Sequence, residues 1–526
     1  MAAEHSGASR PVVIIGPPPT PNGDLHVGHM AGPYLAADVH ARYLRAHGRP
    51  VVYATATDDS QTYVLASARK LGTTPAALAR KSWHEIRRTL GLMGISVDGF
   101  APIDEDYRAA VLDFLTELHA AGKFRLRTVR LPYSEKHGEY LMEGLIEGDC
   151  PICLAESRGG QCETCGHAID VDELIDPRSR LDATDVLTTR EAQILVLPME
   201  EYRDQLTAYH TSREPHWRPH VVQLARELLA RPLPDFPITY PTRWGIEAPF
   251  AETPGQVINA WAEGMAQWMY CTTYAERQMG QERGAYDEPW RAERDIQLVY
   301  FLGFDNGYIC GMAHVALLLA YEGRYVLPDT IVSNEFYELE NEKFSTSKGH
   351  VVRVPDLLAE VPRDLIRFYL ALTCPEHQRT NFSRTALDKI TAQRLVEPWN
   401  RLADLLGEAV AAAGGGAGAL PVSAAARGRA AAMLERFRAC YELGGFSMAR
   451  AADLVVVQLD RLQRRAAQLG GAQAGSGLEQ LGDLFLEVNA LVAGASPITI
   501  DLAAAVARAG GLDGALRPGA LDVAEV

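Results

Sequence analysis

Pro17-Pro18-Pro19-Thr20-Pro21-Asn22-Gly23-Asp24-Leu25-His26-Val27-Gly28-His29 decides the fold, because a short apolar run leads straight into it and an amphipathic helix leaves it. Val12 to Ile15 is bounded by Pro and Gly and reads as a buried parallel strand. Met30, Tyr34, Leu35, Val39, Tyr43 and Leu44 then recur at helical spacing. The stretch is therefore the first strand-to-helix turn of an α/β sheet, where such sheets hold phosphate. His26 and His29 fall one turn apart at the helix start, where unpaired backbone N–H groups favour an anion, and Gly28 carries no side chain to block a flat ring or a phosphate. Two histidines three apart on a helix are also an ordinary packing arrangement, so the pair alone leaves both readings open.

A second motif narrows the choice. Glu342-Lys343-Phe344-Ser345-Thr346-Ser347-Lys348-Gly349 is a small, lysine-bearing loop. Alone it reads as a solvated surface loop; beside the histidines its cations point to a nucleoside triphosphate. On these residues the chain resembles the class I aminoacyl-tRNA synthetase family, in its methionyl branch. His26-Val27-Gly28-His29 matches the HIGH signature, and Lys343-Phe344-Ser345-Thr346-Ser347 matches the KMSKS loop, with Thr346 in place of the second lysine and Lys348 just beyond. The resemblance runs from about Pro11 to Leu405. It implies a Rossmann-like parallel sheet and ATP with Mg²⁺ as cofactors. It also implies catalytic roles for His26, His29, Lys343, Ser347 and Lys348, and nucleotide contacts from Asn22, Gly28, Gly303 and Asp305.

A chain of 526 residues is too long for one core. The expected layout is a first half of the catalytic domain over 1–122, a connective insertion over 123–235 and a second half over 236–335. A region carrying the lysine loop follows over 336–384, and an α-helical bundle over 385–526. The hydrophobic content of 47% with 22% charge is ordinary for a globular protein. A net charge of −16 argues against a broad electrostatic grip on nucleic acid, DNA included. No apolar run reaches about 18 residues, and Met1 to Arg10 lacks the apolar core of a signal peptide. A cytoplasmic protein without a membrane partner is expected.

Inside the insertion, Cys150-Pro151-Ile152-Cys153 and Cys162-Glu163-Thr164-Cys165 place four of the eight cysteines within sixteen residues. Two such knuckles present four thiolates to a tetrahedral ion, and a site filled by sulfur has no position for a catalytic water. Structural Zn²⁺ is expected; disulfides are the competing reading, which a reducing compartment disfavours. Cys271, Cys310, Cys374 and Cys440 are scattered and read as buried apolar residues.

The second strand, from Val51, ends in Thr57-Asp58-Asp59-Ser60-Gln61. An acid there holds an ammonium group or caps the helix that starts at Thr62. The resemblance gives Asp58 the α-amino group of the substrate, although the family's following His-Gly is Ser60-Gln61 here. Trp261 and Trp268 lie seven apart on one helix face and form either an aromatic wall or core. By resemblance this segment lines the amino-acid pocket, where only Trp261 is kept. Pro18, Thr20, Met265, Trp268 and Cys310 stand where the family carries an aliphatic residue, Tyr, Pro, Tyr and His. One methylene is worth only about 1–3 kcal/mol in such a pocket, so methionine does not follow as the substrate. Gly303-Phe304-Asp305-Asn306 is similar to the family's GKD turn beside the ribose, with Phe304 for the lysine; Asp305 is a ribose acceptor or a helix cap.

From Thr385 the sequence is helical and rich in Ala and Leu, broken at Gly414–Gly418 and Gly470–Gly477. In the family such a bundle reads the anticodon, a task for aromatic stacking and cationic contacts. Here the last tryptophan is Trp399 and the last lysine Lys389. Aligned on Trp399-Asn400-Arg401-Leu402, Asn400 is kept, but the next family Asn and Arg fall at Asp404 and Glu408, and the later stacking Trp has no counterpart between Leu462 and Gly477. Arg461, Arg464 and Arg465 read as a solvated helix face. The expectation is an ATP-dependent ligase that forms an aminoacyl-adenylate and passes the acyl group to a small-molecule amine acceptor, for example an N-hydroxylated amine, rather than to tRNA; a partner enzyme such as a cupin would be a separate chain. The alternatives are an authentic or duplicate methionyl-tRNA synthetase, and a non-catalytic paralog, for which Thr346 and Phe304 leave room.

Overall fold

The computed structural model describes residues 10–282, 284–344, 349–413, 420–469 and 477–508. The chain divides into two compact units. One comprises Met1–Leu25, Leu44–Gly91 and Ser96–Glu335; the other comprises His26–Tyr43, Leu92–Ile95 and Phe336–Val526.

The first unit holds the expected parallel sheet. Its strands lie in the order Thr330–Asn334, Gln297–Gly303, Val12–Ile15, Val51–Thr55, Gly99–Phe100, with Val12 opposite both Val51 and Gln297. Val12 to Ile15 are all buried, as a central strand covered on both faces requires. The strand order reverses there, and open α/β sheets hold ligands at the carboxyl ends beside such a reversal. Two bonds tie the loops at that end: the Thr55 hydroxyl donates to the Gly16 carbonyl at 3.1 Å, and the Asp58 N–H donates to the Pro19 carbonyl at 3.1 Å.

The short mixed segments of the insertion become an antiparallel sheet. Arg125–Ser134 and Leu187–Pro198 pair from Ser134 opposite Leu187 to Arg125 opposite Val196, flanked by Glu139–Tyr140 and Asp235–Pro237. The cysteine knuckles share a small core with Leu141, Met142, Leu145, Ile146 and Ile169.

In the second unit the helix expected from Met30 onward is not continuous. A helical turn at Val27–His29 passes into a widened turn at Met30–Tyr34, and the regular helix runs from Leu35 to Ala46. Gly32 leaves helical geometry (φ −99°, ψ −114°) before Pro33, which has no N–H to donate and whose ring crowds the preceding turn. The helical period of the apolar residues survives the break, which is why the sequence reads as one helix.

The remainder of this unit is the expected set of helices, among them Arg363–Leu372, Glu397–Ala412, Ala424–Tyr441, Met448–Leu469, Gly477–Ala495 and Ile500–Arg508. The glycine-rich stretches 414–418 and 470–476 lie outside the described residues. Arg367 is fully buried: its guanidinium donates to Asp38 at 2.6 Å and to the carbonyls of Ile498 (2.8 Å), Met93 (3.0 Å) and Pro497 (2.7 Å). The arginine cluster corrects the sequence reading. Arg461 (2.6 Å), Arg429 (2.9 Å) and Arg465 all pair with the buried Glu487, and Arg464 pairs with Asp460. Arg461 and Arg465 therefore tie helices together instead of facing solvent. No helix among the described residues is long and apolar enough to cross a membrane.

Candidate active site

His26 and His29 belong to the second unit. His26 is the residue before the helical turn, with extended backbone, and its N–H donates to His29 Nδ1 at 3.2 Å. Because Nδ1 accepts, the proton of a neutral His29 sits on Nε2. Burial lowers the His29 pKa to about 4, so at physiological pH the ring is a neutral donor, not a cation. The His26 ring is stacked on His29 (centroids 3.8 Å apart) on one side and on Phe344 (4.6 Å, 7° between planes) on the other. Gly28 permits this stack, since a Cβ there would stand 2.9 Å from Phe344 Cδ2 and 3.0 Å from the His26 ring. The Val27 N–H donates to the Val352 carbonyl at 3.0 Å, and His26 bridges Arg353 in antiparallel fashion. Phe344 directly follows Lys343, whose strand Glu342–Lys343 pairs with Tyr337–Leu339. The root of the lysine loop is thus packed against the histidine pair. Lys343 is described by its backbone alone, and Ser347 and Lys348 lie outside the described residues.

The proposed pocket residues belong to the first unit. Asp58 is buried, and its Oδ2 accepts from Gln61 Nε2 at 2.7 Å. It does not cap the next helix; Gln61 occupies the cap position of Thr62–Leu71. Trp261 opens the Ala260–Gln278 helix, whose cap Asn259 accepts from the Trp261 N–H at 3.2 Å. The Trp261 indole donates to Glu143 Oε1 at 2.9 Å, and His314 Nε2 donates to the Trp261 carbonyl at 2.8 Å. Trp268 is buried edge-on against Tyr300 (4.6 Å) and His314 (5.0 Å), and Met265 and Cys310 are buried in the same core. Pro18, Thr20 and Asn22 are half-buried in the loop after the first strand. Asp305 accepts from Asn306 Nδ2 at 3.2 Å, and burial lifts its pKa to about 6. Phe304 stacks on His220 at 3.5 Å, so the position the family gives to a lysine is filled by ring packing.

Glu143, Glu263, Gln61 and His314 escaped the sequence reading. Glu263 carried a signal, an acid set among apolar neighbours in the first turn of a helix; Glu143 carried none. Burial pushes the carboxyls of Glu143 and Glu263 up to about 7 and that of Asp59 to about 6. Asp58 is raised by burial and then by Glu263. Glu263 is faced by Tyr107, Ser60, Asp58, Asp59 and Arg108. The folded pKa values of Glu143 and Glu263 lie above the unfolded value of 4.5, so the folded chain holds these protons more tightly. The share of stability that these two carboxyls contribute to the free protein is therefore expected to fall as pH rises from about 4.5 to about 7 and then to level off. Thermal melts against pH check this as a difference: the wild type should lose stability relative to Glu263→Gln across that window.

In the insertion, the Sγ atoms of Cys150, Cys153, Cys162 and Cys165 all lie within 4.8 Å of one another. Cys150 and Cys165 are 3.9 Å apart, and Cys153 and Cys162 3.7 Å. These separations fit the edges of a tetrahedron whose centre would hold a metal at about 2.3 Å, and they are too long for disulfide bonds of about 2.0 Å. Both knuckles close alike, with Leu154 (φ 61°) and Gly166 (φ 77°) in the left-handed region just after the second cysteine.

The structure superposes on Mycobacterium tuberculosis methionyl-tRNA synthetase bound by methionyl-adenylate with a TM-score of 0.75, over 97% of this chain and 98% of that one, at 20% identity. That likeness is one of fold. Residues 12–404 match the profile of the class I (M) tRNA synthetases, and the chain belongs to that family. It is 33% identical over 379 residues to the methionine–tRNA ligase of Chlorobium limicola, covering 69% of this chain and 53% of the relative. Against the methionine–tRNA ligase of Thermomicrobium roseum it is 30% identical over 454 residues, covering 86% and 76%. The chain spans about half the length of the first of these relatives.

Proposed function

We propose that the chain condenses an amino acid with ATP to an aminoacyl-adenylate. The substrate carboxylate attacks the α-phosphorus, the new O–P bond forms, and the bond to the β-phosphate breaks to release pyrophosphate. The observation that carries this reading is the Phe344–His26–His29 stack, which packs the root of the lysine loop on one face of the His26 ring and the neutral Nε2–H donor His29 on the other. Such a transfer needs positioning and charge stabilisation more than covalent help. His26 and His29 stabilise charge on the phosphates, and Lys343, Ser347 and Lys348 hold the departing pyrophosphate. Mg²⁺ enters as the counter-ion of ATP. Asp58 binds the α-ammonium group, Asn22, Gly28, Gly303 and Asp305 hold the nucleotide, and Pro18, Thr20, Trp261, Met265, Trp268 and Cys310 border the amino acid.

For the acceptor, the names of the relatives favour tRNA, and this reading stands ahead of the non-tRNA acceptor expected from the sequence. The second reading, transfer to a non-tRNA amine, with or without a separate partner enzyme, keeps one supporting observation. Arg429, Arg461 and Arg465 of the bundle are tied to Glu487, while exposed Asp404 and Glu408 present carboxylates. α-Labelled ATP, the protein and each amino acid in turn should yield a labelled aminoacyl-adenylate. Added tRNA discharges it and becomes acylated under the first reading; it leaves the adenylate untouched under the second. No adenylate with any amino acid would leave only the binding paralog.

The four thiolates fit structural zinc. About one zinc per chain is expected by metal analysis. Chelation or Cys162→Ser should expose the knuckle segment to limited proteolysis before the rest of the chain.

A further inference from the structure

Within the first unit, the second cysteine knuckle packs onto the turn that the proposed function gives to the nucleotide. Gly166 closes that knuckle, and its N–H donates to the Cys162 carbonyl at 2.8 Å. It stands in the left-handed region (φ 77°), and a Cβ there would come within 2.8 Å of Leu224 Cδ2 and 3.1 Å of Phe304 Cζ. The knuckle backbone therefore lies against the Cζ end of the Phe304 ring, an approach that glycine allows. His167, next in the chain, lies 3.4 Å from Glu227 on the Pro219–Leu229 helix, which also carries Leu224. Gly307, just past the turn, meets the same side chain: a Cβ there would be 2.9 Å from Leu224 Cδ2. Knuckle, helix and turn thus converge on Leu224 and Phe304.

A separate observation shows what Phe304 does there. Its ring is buried and stacks on His220 of that helix at 3.5 Å with 11° between planes, and His220 Nδ1 donates to Glu335 Oε1 at 2.7 Å. The resemblance puts a lysine at this position; a phenyl ring offers no donor to a ligand and serves the packing instead. Phe304 also opens the short helical turn Phe304–Asn306, in which Asp305 is the next residue. Asp305 Oδ1 folds back over Gly303, where a Cβ would collide with it, and accepts from Asn306 Nδ2 at 3.2 Å. The carboxylate is held by its own turn, and the turn is held by Phe304.

We propose that Phe304 is a positioning residue for the nucleotide: packed on His220 and on the Gly166 end of the cysteine knuckle, it sets the Gly303–Asn306 turn that holds ATP, so that metal in the knuckle and nucleotide on the turn strengthen each other's binding. This rests on the activation reading, with Gly303 and Asp305 at the nucleotide, and is independent of which acceptor takes the acyl group. Thiolates gathered on one ion fix the path from Cys162 to Gly166, and Gly166 fixes the ring. Two ligands that favour the same arrangement of a shared element raise each other's affinity by the same factor.

Equilibrium competition for zinc between the full-length protein and a chelator of known affinity, with and without saturating MgATP, reads this coupling. MgGTP corrects for zinc taken by the free triphosphate, and ATP affinity of the zinc-loaded protein is measured in parallel by titration. MgATP is expected to raise the zinc affinity of the wild type by at least about fivefold. Phe304→Ala should bring that factor down towards one and weaken ATP binding. His220→Ala should move both quantities the same way by less, and His220→Phe, which keeps the stack without the Glu335 contact, should return the wild-type values. Should Phe304→Ala not melt cooperatively, the two His220 variants carry the comparison. A wild type that binds ATP with no change in zinc affinity, or a coupling that ignores these substitutions, would overturn the inference and leave activation standing. A wild type that binds no ATP would instead overturn the proposed activation.

Discussion

His29→Ala is expected to slow adenylate formation by about 10²–10³-fold, the usual cost of losing one aligned donor to developing charge. The fold should survive, because His29 is half-buried and its described bond to the rest of the chain is to the His26 N–H. His29→Asn restores an acceptor for that N–H and an outward donor, so part of the rate should return. The pH profile separates a neutral donor from a cationic one. With the His29 pKa at about 4, the rate should show no break from this residue between pH 5 and pH 9; a required imidazolium would make it fall above about 6.5. The stability linkage runs the other way from that of Glu263. An unfolded His29 takes its proton near 6.5 and the folded one only near 4, so its stabilising share is lost as pH falls through that window.

Arg367→Leu is expected to cost about 3–5 kcal/mol, because it leaves the Asp38 carboxylate buried without its buried partner. Arg42 still reaches Asp38 at 2.9 Å and softens the loss. Three carbonyls also lose a donor: Met93, Ile498 and Pro497. Pairing the change with Asp38→Leu should therefore recover little, unlike a simple ion pair, which apolar residues replace at small cost. Arg367→Lys keeps the charge but not the planar fork, and should lose most of the same stability. Chemical denaturation of the three variants checks these expectations; full recovery in the double variant would reduce Arg367 to an ion pair.

What could be read from the sequence was local. The first strand and its loop, the HxGH pair and the cysteine knuckles are short patterns whose chemistry is fixed by neighbours in the chain, and the structure shows the strand, the helical turn and the gathered thiols. The rest depended on contacts between distant residues. Glu143 reaches Trp261 from the insertion, on a turn with φ 40° that no pattern announces. The arginines of the Met448–Leu469 helix read as solvated because their partner, Glu487, is on another helix. Asp58 was locally indistinguishable from a helix cap until Gln61 was seen in that position. The break at Gly32–Pro33 was written in the sequence, but the apolar period on both sides masked it.

In the proposed reaction the stacked histidines serve a triphosphate during carboxylate activation. Steady-state pyrophosphate exchange by the wild type and by His26→Ala, each first shown to melt cooperatively, tests it most directly. The expected result is amino-acid-dependent exchange in the wild type and a loss of at least about a hundredfold in the variant. Equal exchange in both proteins would contradict the claim.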